Sequence, residues 1–333
     1  MKICTRCVLP ESFPGISFND QGVCNFCATH REVETDGAAR DRGEARFNDF
    51  VKEVSVRDGF HCLMALSGGK DSTYSMMLLK EVYGLNVLAV TFDNGFLSPQ
   101  AIENAHRTTD ALDIEYIIVR PNVALMKSVF VGVADGNAFS PMALERASSV
   151  CNACMGMVKS IFLRMAIERS IPAIAYGWSP GQAPTRAAFF KMNSAMIQKM
   201  QEARVKPLLD IAGDQLKPLL PNENHLDSNM DFPYNVNPLA FGDYDEKVIV
   251  EKISTLGWRR PDDTDGNSTN CLLNQFANRN HLERHGFHPY AYEIAGLVRG
   301  GHMAREEGLA KLADLGDEGI AQGIKRSLGL DAE

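Results

Sequence analysis

Apolar residues in the middle of the chain form short continuous runs that alternate with helical stretches. Runs with the length of buried strands occupy residues 62–66, 87–92, 114–119 and 173–176. Stretches typical of helices occupy residues 71–83, 99–112 and 154–169. Strands that alternate with helices predict an α/β fold with a parallel, doubly wound sheet of at least four strands.

The segments on either side of this region have different patterns. Residues 1–31 are turn-rich and contain four cysteines, and the highly charged segment that follows has too few apolar residues for a core strand. Many Pro, Asn and Asp residues between 205 and 244 predict a long irregular excursion near a site, and the tail is typical of helices. We therefore predict a small module, a linker helix, a sheet domain and a substrate-side extension with C-terminal helices, at residues 1–31, 32–58, 59–205 and 206–333.

Composition limits the classes of function. A chain of 333 residues that is 45% hydrophobic and 23% charged is not disordered. Its net charge of -8 provides no overall positive field, which disfavours DNA or a large RNA such as tRNA as partner. No uninterrupted apolar run approaches the ~18 residues of a membrane span, and the first residues lack the apolar stretch of a signal peptide. We expect a cytoplasmic protein without membrane contacts.

The string SGGKDS at residues 67–72 lies between the first predicted strand and a helix. Backbone N–H groups and the positive end of the helix dipole converge at such a turn, and its glycines allow a ligand to approach the backbone closely. Ser67, Ser72 and Thr73 add hydroxyl groups, and Lys70 adds a positive charge. The string predicts an anion-binding loop.

Seven of the eight cysteines fall into two groups, and Cys62 lies in the apolar run of the first strand, where we expect it in the core. The first group is two CxxC pairs separated by sixteen residues, a spacing typical of structural zinc. Four thiolates complete a tetrahedral Zn(II) site, and a module of about thirty residues needs such a metal to fold. The predicted zinc ligands are Cys4, Cys7, Cys24 and Cys27.

The second group consists of Cys151 and Cys154, at the start of a helix, and the distant Cys271. The residues alone are compatible with a second zinc site or with a thiol pair that binds no metal. A zinc site would take its fourth ligand from one of the histidines His281, His285, His288 and His302.

The SGGKDS loop in this setting resembles the PP-loop signature of the ATP pyrophosphatases, which include GMP synthetase, asparagine synthetase and tRNA thiolation enzymes. The resemblance implies a Rossmann-like nucleotide alpha-hydrolase fold and a loop that holds pyrophosphate while ATP, with Mg(II), is cleaved to AMP. The end of the second strand, TFDNGF, is similar to the VDNGL string of GMP synthetases and implies adenosine contacts. The expected nucleotide-binding residues are Ala65, Leu66, Ser67, Gly68, Gly69, Lys70, Asp71, Ser72, Phe92, Asp93, Asn94 and Gly177.

The second cysteine group also resembles the thiolation branch of that family. There, a CxxC pair and a distant third cysteine bind a 4Fe-4S cluster whose fourth iron is open, which suits sulfur transfer. Cluster, zinc and no metal remain three open interpretations of Cys151, Cys154 and Cys271. After the fourth strand, residues 177–186 lack the acidic G-x-x-x-D-x-x-E-T pattern of the tRNA thiolation enzymes, which weakens tRNA as substrate.

Most of the chain resembles the N-acetyl sugar amidotransferases of lipopolysaccharide biosynthesis. The likeness is carried by CTRCVLPE, PGISF and GVCNFC near the start, by SGGKDSTY, LKEVYGLN and LAVTF in the middle, and by EIAGLVR and MAREEG near the end. It loosens between residues 93 and 150. The resemblance implies a sugar-nucleotide acceptor and ammonia supplied by glutaminase and cyclase-like partner subunits.

We expect an acceptor amide or carbonyl oxygen to attack the α-phosphate of ATP, after which ammonia displaces AMP. Lys70, Asp71 and Arg186 are the expected catalytic residues. One alternative keeps the adenylation and transfers sulfur using Cys151, Cys154 and Cys271, with Cys154 and Cys271 as catalytic candidates. Another is a non-catalytic nucleotide-sensing or scaffold subunit. Glu293, Glu306 and Glu307 lie in stretches of alternating charge and are interpreted as a solvated helix face.

Overall fold

A six-stranded sheet forms the centre of the molecule. The computed structural model of the chain describes residues 2–30, 37–183, 187–227 and 231–330. The strands are β1 (Cys62–Ala65), β2 (Val87–Phe92), β3 (Glu115–Val119), β4 (Ala173–Ala175), β5 (Phe189–Lys191) and β6 (Tyr234–Val236). Their order is β3-β2-β1-β4-β6-β5, and all neighbours are parallel except β5 and β6. The four predicted strands and the α/β class are confirmed.

The strand order creates a crevice at one edge of the sheet. From β1 the chain proceeds outward through β2 to β3 and then returns to the other side of β1 as β4. Ligands of open α/β sheets bind where the order reverses in this way, outside the carboxyl ends of the strands. The ends of β1 and β4 therefore mark the expected binding crevice.

Helices cover both faces of the sheet. The described α-helices are α1 (Asn25–Ala28), α2 (Gly37–Val54), α3 (Lys70–Met77), α4 (Pro99–Ala111), α5 (Val123–Val133), α6 (Pro141–Leu144), α7 (Ser149–Glu168), α8 (Ser194–Met200), α9 (Lys206–Ala212), α10 (Glu246–Ser254), α11 (Leu273–His285), α12 (Ala291–Arg299), α13 (Arg305–Ala313) and α14 (Glu318–Ser327). A π-helical segment, Leu78–Val82, continues α3, and a second one, Gln201–Val205, joins α8 to α9.

Side chains of β1 alternate between two cores because successive residues of a strand point to opposite faces. Leu63 belongs to the core that also contains residues of α5, α7, α9, α11 and α14, whereas Cys62 and Met64 belong to the core with residues of α2 and α3 on the other face. All three are fully buried. The expectation that Cys62 is a core residue is therefore correct.

The segment 205–244 is more regular than predicted. It contains α9 and several 3-10 turns, and its strand β6 pairs with β4, so the sheet takes a strand from beyond residue 205. Strand β5, also unpredicted, forms the antiparallel edge. Both strands have only three residues and include a polar one, Lys191 in β5 and Asn235 in β6, whereas the equally short β4 lies in a continuous apolar run.

Helix α7 is long and apolar enough, by length and composition, to cross a membrane, although the sequence contains no uninterrupted apolar run of that length. Of its most apolar window, 61% is buried inside the molecule. Ala153, Met157 and Phe162 belong to the main core. The apolar character of α7 is accounted for by its place beside the sheet.

Candidate active site at the carboxyl ends of the strands

The SGGKDS loop joins β1 to α3 at the crevice. Its hydroxyl groups close the turn: Gly69 N donates to Ser67 Oγ at 3.3 Å, Ser67 N donates to Ser72 Oγ at 3.2 Å, and Ser72 Oγ lies 3.0 Å from Ser67 Oγ. Lys70 N donates to Thr269 Oγ1 at 3.1 Å, which ties the loop to the C-terminal part of the chain. Hydrogen bonds within the loop and to Thr269 therefore fix the conformation of the loop.

Two glycines allow neighbouring backbone to approach this loop. Gly68 has a φ of +75°, and a Cβ there would lie 2.0 Å from the carbonyl oxygen of Ala101 in α4. Gly177 follows β4, and its Cβ would lie 2.7 Å from the backbone of Asp71 and Ser72. Any side chain at either position would push the loop away from its support.

Lys70 is surrounded by oxygen atoms. Its Nζ donates to Asp71 Oδ2 at 2.7 Å and to Tyr244 OH at 2.9 Å, and lies 3.8 Å from Glu246 Oε2. Burial lowers the pKa of Lys70, but the charges of Asp71, Tyr244 and Glu246 outweigh it and raise the pKa above its ordinary value. The side chain is a fixed positive charge at neutral pH.

The loop, the end of β4 and the C-terminal helices enclose a cavity of about 310 Å³. Most of the predicted nucleotide-binding residues line it, namely Ala65, Ser67, Gly69, Lys70, Asp71, Ser72 and Gly177. Residues that the sequence analysis did not assign also line it, among them Tyr244, Glu246, Thr269, Asn270, Tyr290 and Lys311. These residues belong to the region from 244 onward, where only a pattern of helices was visible.

The end of β2 places its two polar residues differently. Asp93 accepts from Gly95 N at 2.8 Å and pairs with Arg120 at 3.2 Å, so both of its carboxylate oxygens are engaged by the chain itself. Asn94 faces a second cavity of about 250 Å³, which adjoins the first at Ala65 and Ser67. Leu66 and Phe92 also line this second cavity.

Three thiols face the second cavity. Asn94 Nδ2 lies 3.6 Å from Cys154 Sγ and 3.6 Å from Cys271 Sγ, and Cys151 Sγ lies 3.5 Å from Asn274 Oδ1. Burial raises the pKa of all three cysteines, that of Cys151 to about 12. Without a metal they are protonated thiols at neutral pH, so thiolate character requires a bound cation.

The three thiols and the histidines are not gathered as ligands of one metal ion. Within the described residues, the three sulfurs and a histidine nitrogen do not form a group whose ligand atoms all lie within 4.8 Å of one another. His281 and His285 instead pack against each other with ring planes tilted by 47° and centroids 4.5 Å apart. This arrangement disfavours a single zinc ion and leaves the cluster and the metal-free thiols as interpretations of the group.

The first cysteine group is gathered as the spacing predicts. The sulfurs of Cys4, Cys7, Cys24 and Cys27 all lie within 4.8 Å of one another, and two pairs are 3.8 Å apart. A regular tetrahedron with zinc–sulfur bonds of about 2.3 Å has sulfurs about 3.8 Å apart. The four residues are buried, so the donor set and the spacing fit a closed structural zinc site.

The cysteine module is joined to the C-terminal helices. Arg305 of α13 donates to the carbonyl oxygens of Cys4 and Cys7 at 2.8 and 3.0 Å, and Arg299 of α12 lies 3.8 Å from Cys7 Sγ. Phe13 packs against this helical region as well. Metal binding at residues 4–27 is thereby linked to α12, which lines the cavity.

The interpretation of Glu293 as a solvated residue is wrong. Glu293 lines the cavity beside the loop and accepts from Ser179 Oγ at 2.7 Å, and burial raises the pKa of its carboxyl group. The alternating charges in the sequence did not reveal that the face of α12 with Glu293 lies toward the cavity. Glu306 and Glu307 are exposed as expected, and Arg186 lies outside the described residues.

Comparisons with known proteins give relatives at low sequence identity. No protein-family model matches the chain. A curated protein of Methanocaldococcus jannaschii, described as uncharacterized protein MJ1599, is 25% identical over 253 residues, which are 76% of this chain and 72% of that protein.

Solved structures resemble the chain at low identity. They include the U34-tRNA thiolase NcsA from Methanococcus maripaludis with its [4Fe-4S] cluster, with a TM-score of 0.41, 19% identity and coverage of 100% of this chain and 90% of that one. The NH3-dependent NAD synthetase from Campylobacter jejuni has a TM-score of 0.32, 15% identity and coverage of 67% and 98%. These TM-scores lie below 0.5, and the α/β class rests on the strand order itself. The confirmed architecture is a mainly parallel α/β sheet with a four-cysteine N-terminal group and C-terminal helices.

Proposed function

We propose that the protein uses ATP, cleaved to AMP and pyrophosphate, to adenylate an amide or carbonyl oxygen of a small acceptor, which a second nucleophile then attacks. The observation that carries the proposal is the position of SGGKDS at the switch point between β1 and β4, beside Gly177. Backbone N–H groups at the start of α3 and the Lys70 ammonium favour anionic phosphates there.

The proposed chemistry relies on positioning and on charge. The acceptor oxygen forms a bond to the α-phosphorus, the bond to the bridging oxygen breaks, and pyrophosphate leaves with the electron pair. Lys70 and the loop N–H groups stabilise the negative charge that develops on the leaving group. Asp71 offers a carboxylate at the same edge, the ligand type that Mg(II) prefers, and bound Mg(II) would neutralise phosphate charge. Arg186 keeps its proposed role at the phosphates or the acceptor.

Ammonia is the proposed second nucleophile, in line with the sequence resemblance to the N-acetyl sugar amidotransferases. Attack of ammonia on the adenylated carbon, with loss of AMP and a proton, gives an amidine from an amide. Glutaminase and cyclase-like subunits are the proposed ammonia source. The zinc proposed at Cys4, Cys7, Cys24 and Cys27 has a structural role, because four thiolates leave no open position.

Sulfur transfer is a second candidate, favoured by the three thiols that face the cavity next to Ser67. A 4Fe-4S cluster held by Cys151, Cys154 and Cys271 would leave one iron open for a sulfur or an acceptor atom. In that case the adenylation step is the same and the incoming atom is sulfur.

Metal analysis of protein purified without oxygen distinguishes the two candidates. About one zinc per chain and no iron supports ammonia transfer, whereas about four irons and four sulfides beside the zinc support sulfur transfer. Cys151→Ser should remove the iron and leave the zinc, and Cys62→Ser is the matched control because Cys62 is a core cysteine of β1. Full product formation by Cys151→Ser with sulfide would contradict sulfur transfer through the cluster.

A further inference from the structure

A third cavity, of about 270 Å³, opens beside the candidate active site. It shares Trp178, Gln182, Tyr290 and Glu293 with the phosphate-loop cavity and Cys151 with the thiol cavity. A molecule bound in it would lie next to both the proposed ATP site and the thiols. The size is close to the lower limit of small-ligand pockets, roughly 300 Å³.

Positive charge dominates the lining of this cavity. Arg146, Lys159 and Arg204 line it, against the single carboxylate of Glu293. Among the described residues, no carboxylate lies within the 4.0 Å ion-pair distance of these three cations. Three unpaired cations in one cavity are unusual in a chain whose net charge is -8.

Neutral groups hold the three cations in place. Arg204 donates to Asn152 Oδ1 at 2.7 Å, Arg146 lies over the ring of Tyr292 at 4.5 Å, and Lys159 lies over the ring of Trp178 at 4.5 Å. These contacts orient the side chains without neutralising the two guanidinium groups. Burial, and then the charge of Arg204, lower the pKa of Lys159 to about 7, and a bound anion would hold this amine protonated.

The N-terminus of α7 faces the same cavity. Ser148 caps this 20-residue helix by accepting from Cys151 N at 3.1 Å, and both residues line the cavity. The positive end of the helix dipole therefore adds to the field of the three side chains. At Gly156 of α7 a Cβ would lie 3.0 Å from the carbonyl oxygen of Arg204, so this glycine permits the close approach of the segment that carries Arg204.

We propose that this cavity binds the phosphate group of a small phosphorylated acceptor and thereby presents the acceptor to the adenylation site. The inference rests on the proposed function and names the class of its substrate. A phosphate monoester carries a charge of about -1.5 to -2 at pH 7, which matches three cations better than the single charge of a carboxylate. Guanidinium groups also bind phosphate oxygens in pairs. An enclosed cavity suits a small molecule, whereas a nucleic acid needs an extended basic face.

The two tryptophans of the chain provide two reporters. Trp178 lines both the basic cavity and the phosphate-loop cavity, so the variants at Lys159 and Arg204 are needed to assign its response to the basic cavity. Trp258 Nε1 donates to Gly68 O at 2.9 Å in the phosphate loop. Trp258→Phe leaves Trp178 as the only indole and reports the cavity. Trp178→Phe leaves Trp258 and reports the loop.

The test is a fluorescence titration of the Trp258→Phe protein with glucose 1-phosphate, with glucose as the uncharged probe. We expect a saturable response to glucose 1-phosphate and none to glucose. Lys159→Met, and separately Arg204→Gln, should weaken the affinity for glucose 1-phosphate about 10- to 100-fold, which is the expected effect of losing a hydrogen bond between charged groups. Lys191→Met is the matched control, because Lys191 also lies over an aromatic ring, Tyr234 at 4.6 Å, away from this cavity.

Four results would overturn the inference. They are no response to glucose 1-phosphate, equal affinity in wild-type and both cavity variants, binding of glucuronate as tight as that of glucose 1-phosphate, and a response to oligouridylate alone. The nucleotide site is tested separately by titrating the Trp178→Phe protein with ATP. If Trp258 does not respond to ATP while Trp178 responds to glucose 1-phosphate, the proposed adenylation fails and the phosphate site stands.

Discussion

Replacing Gly68 with alanine should disrupt the phosphate loop more than backbone strain alone explains. Alanine at a φ of +75° costs about 1–2 kcal/mol because its Cβ crowds the adjacent carbonyl oxygen. The same Cβ would lie 2.0 Å from the carbonyl oxygen of Ala101. That oxygen belongs to buried backbone of α4, so relief requires movement of the loop or the helix, at a further cost of about 1–3 kcal/mol.

Gly84 provides the matched control. Its φ is +62°, and a Cβ there meets nothing within 4 Å. Gly84→Ala therefore introduces the backbone strain of a positive φ but no steric overlap. Urea unfolding of both variants should show Gly68→Ala to be less stable than Gly84→Ala by about 1–3 kcal/mol. Only Gly68→Ala should lose ATP binding, measured at Trp258. Equal free energies of unfolding, or unchanged ATP binding by Gly68→Ala, would refute the close packing of loop and helix.

Three further predictions concern charge and metal, and Lys191→Met serves as control for both lysine changes. Lys70→Ala should abolish conversion of ATP to pyrophosphate in a coupled pyrophosphate assay, because the leaving group loses its cation; unchanged turnover refutes the role. Cys4→Ser should lose zinc and increase hydrogen exchange in α12, since Arg299 and Arg305 contact the module; unchanged exchange contradicts the linkage. Burial, and then the charge of Arg204, lower the pKa of Lys159 to about 7 from its usual 10.5, so the unfolded chain binds one more proton between these values. The free energy of unfolding should therefore rise with pH from about 7 to about 10.5, and Lys159→Met should remove this rise; an unchanged slope contradicts it.

The parts of the fold with strong local patterns could be predicted from the sequence. Apolar runs predicted β1, β2 and β4, because strands buried on both faces contain few polar residues. The edge strand β3 is only partly buried, but Ile117, Ile118 and Val119 still form an apolar run. Strand β6 could not be recognised, because its three residues include Asn235 and follow a Pro-rich segment. Its place in the sheet depends on pairing with β4, sixty residues earlier in the chain.

Only the residues of the candidate site that belong to sequence motifs could be predicted. The loop residues and the cysteines carry short motifs whose spacing has a physical meaning. Most of the loop residues line the first cavity, and Cys151, Cys154 and Cys271 line the adjoining one. Tyr244 precedes α10, Glu246 begins it and Glu293 belongs to α12, and tertiary packing alone brings them to the cavity beside the loop. Lys159 did leave a signal, since it is a cation within the apolar helix α7. A charged residue in such a helix indicates a site whose interactions offset the free energy cost of burying the charge.

The most direct test of the account is to identify the products of ATP. Wild-type protein and Lys70→Ala are each incubated with ATP labelled at the α-phosphate, Mg(II) and a protein-free extract of small molecules from the source cells, with ammonia added. The account predicts labelled AMP and pyrophosphate with the wild-type protein and neither with Lys70→Ala. Labelled ADP, or equal amounts of AMP from both proteins, would contradict adenylation at the SGGKDS loop.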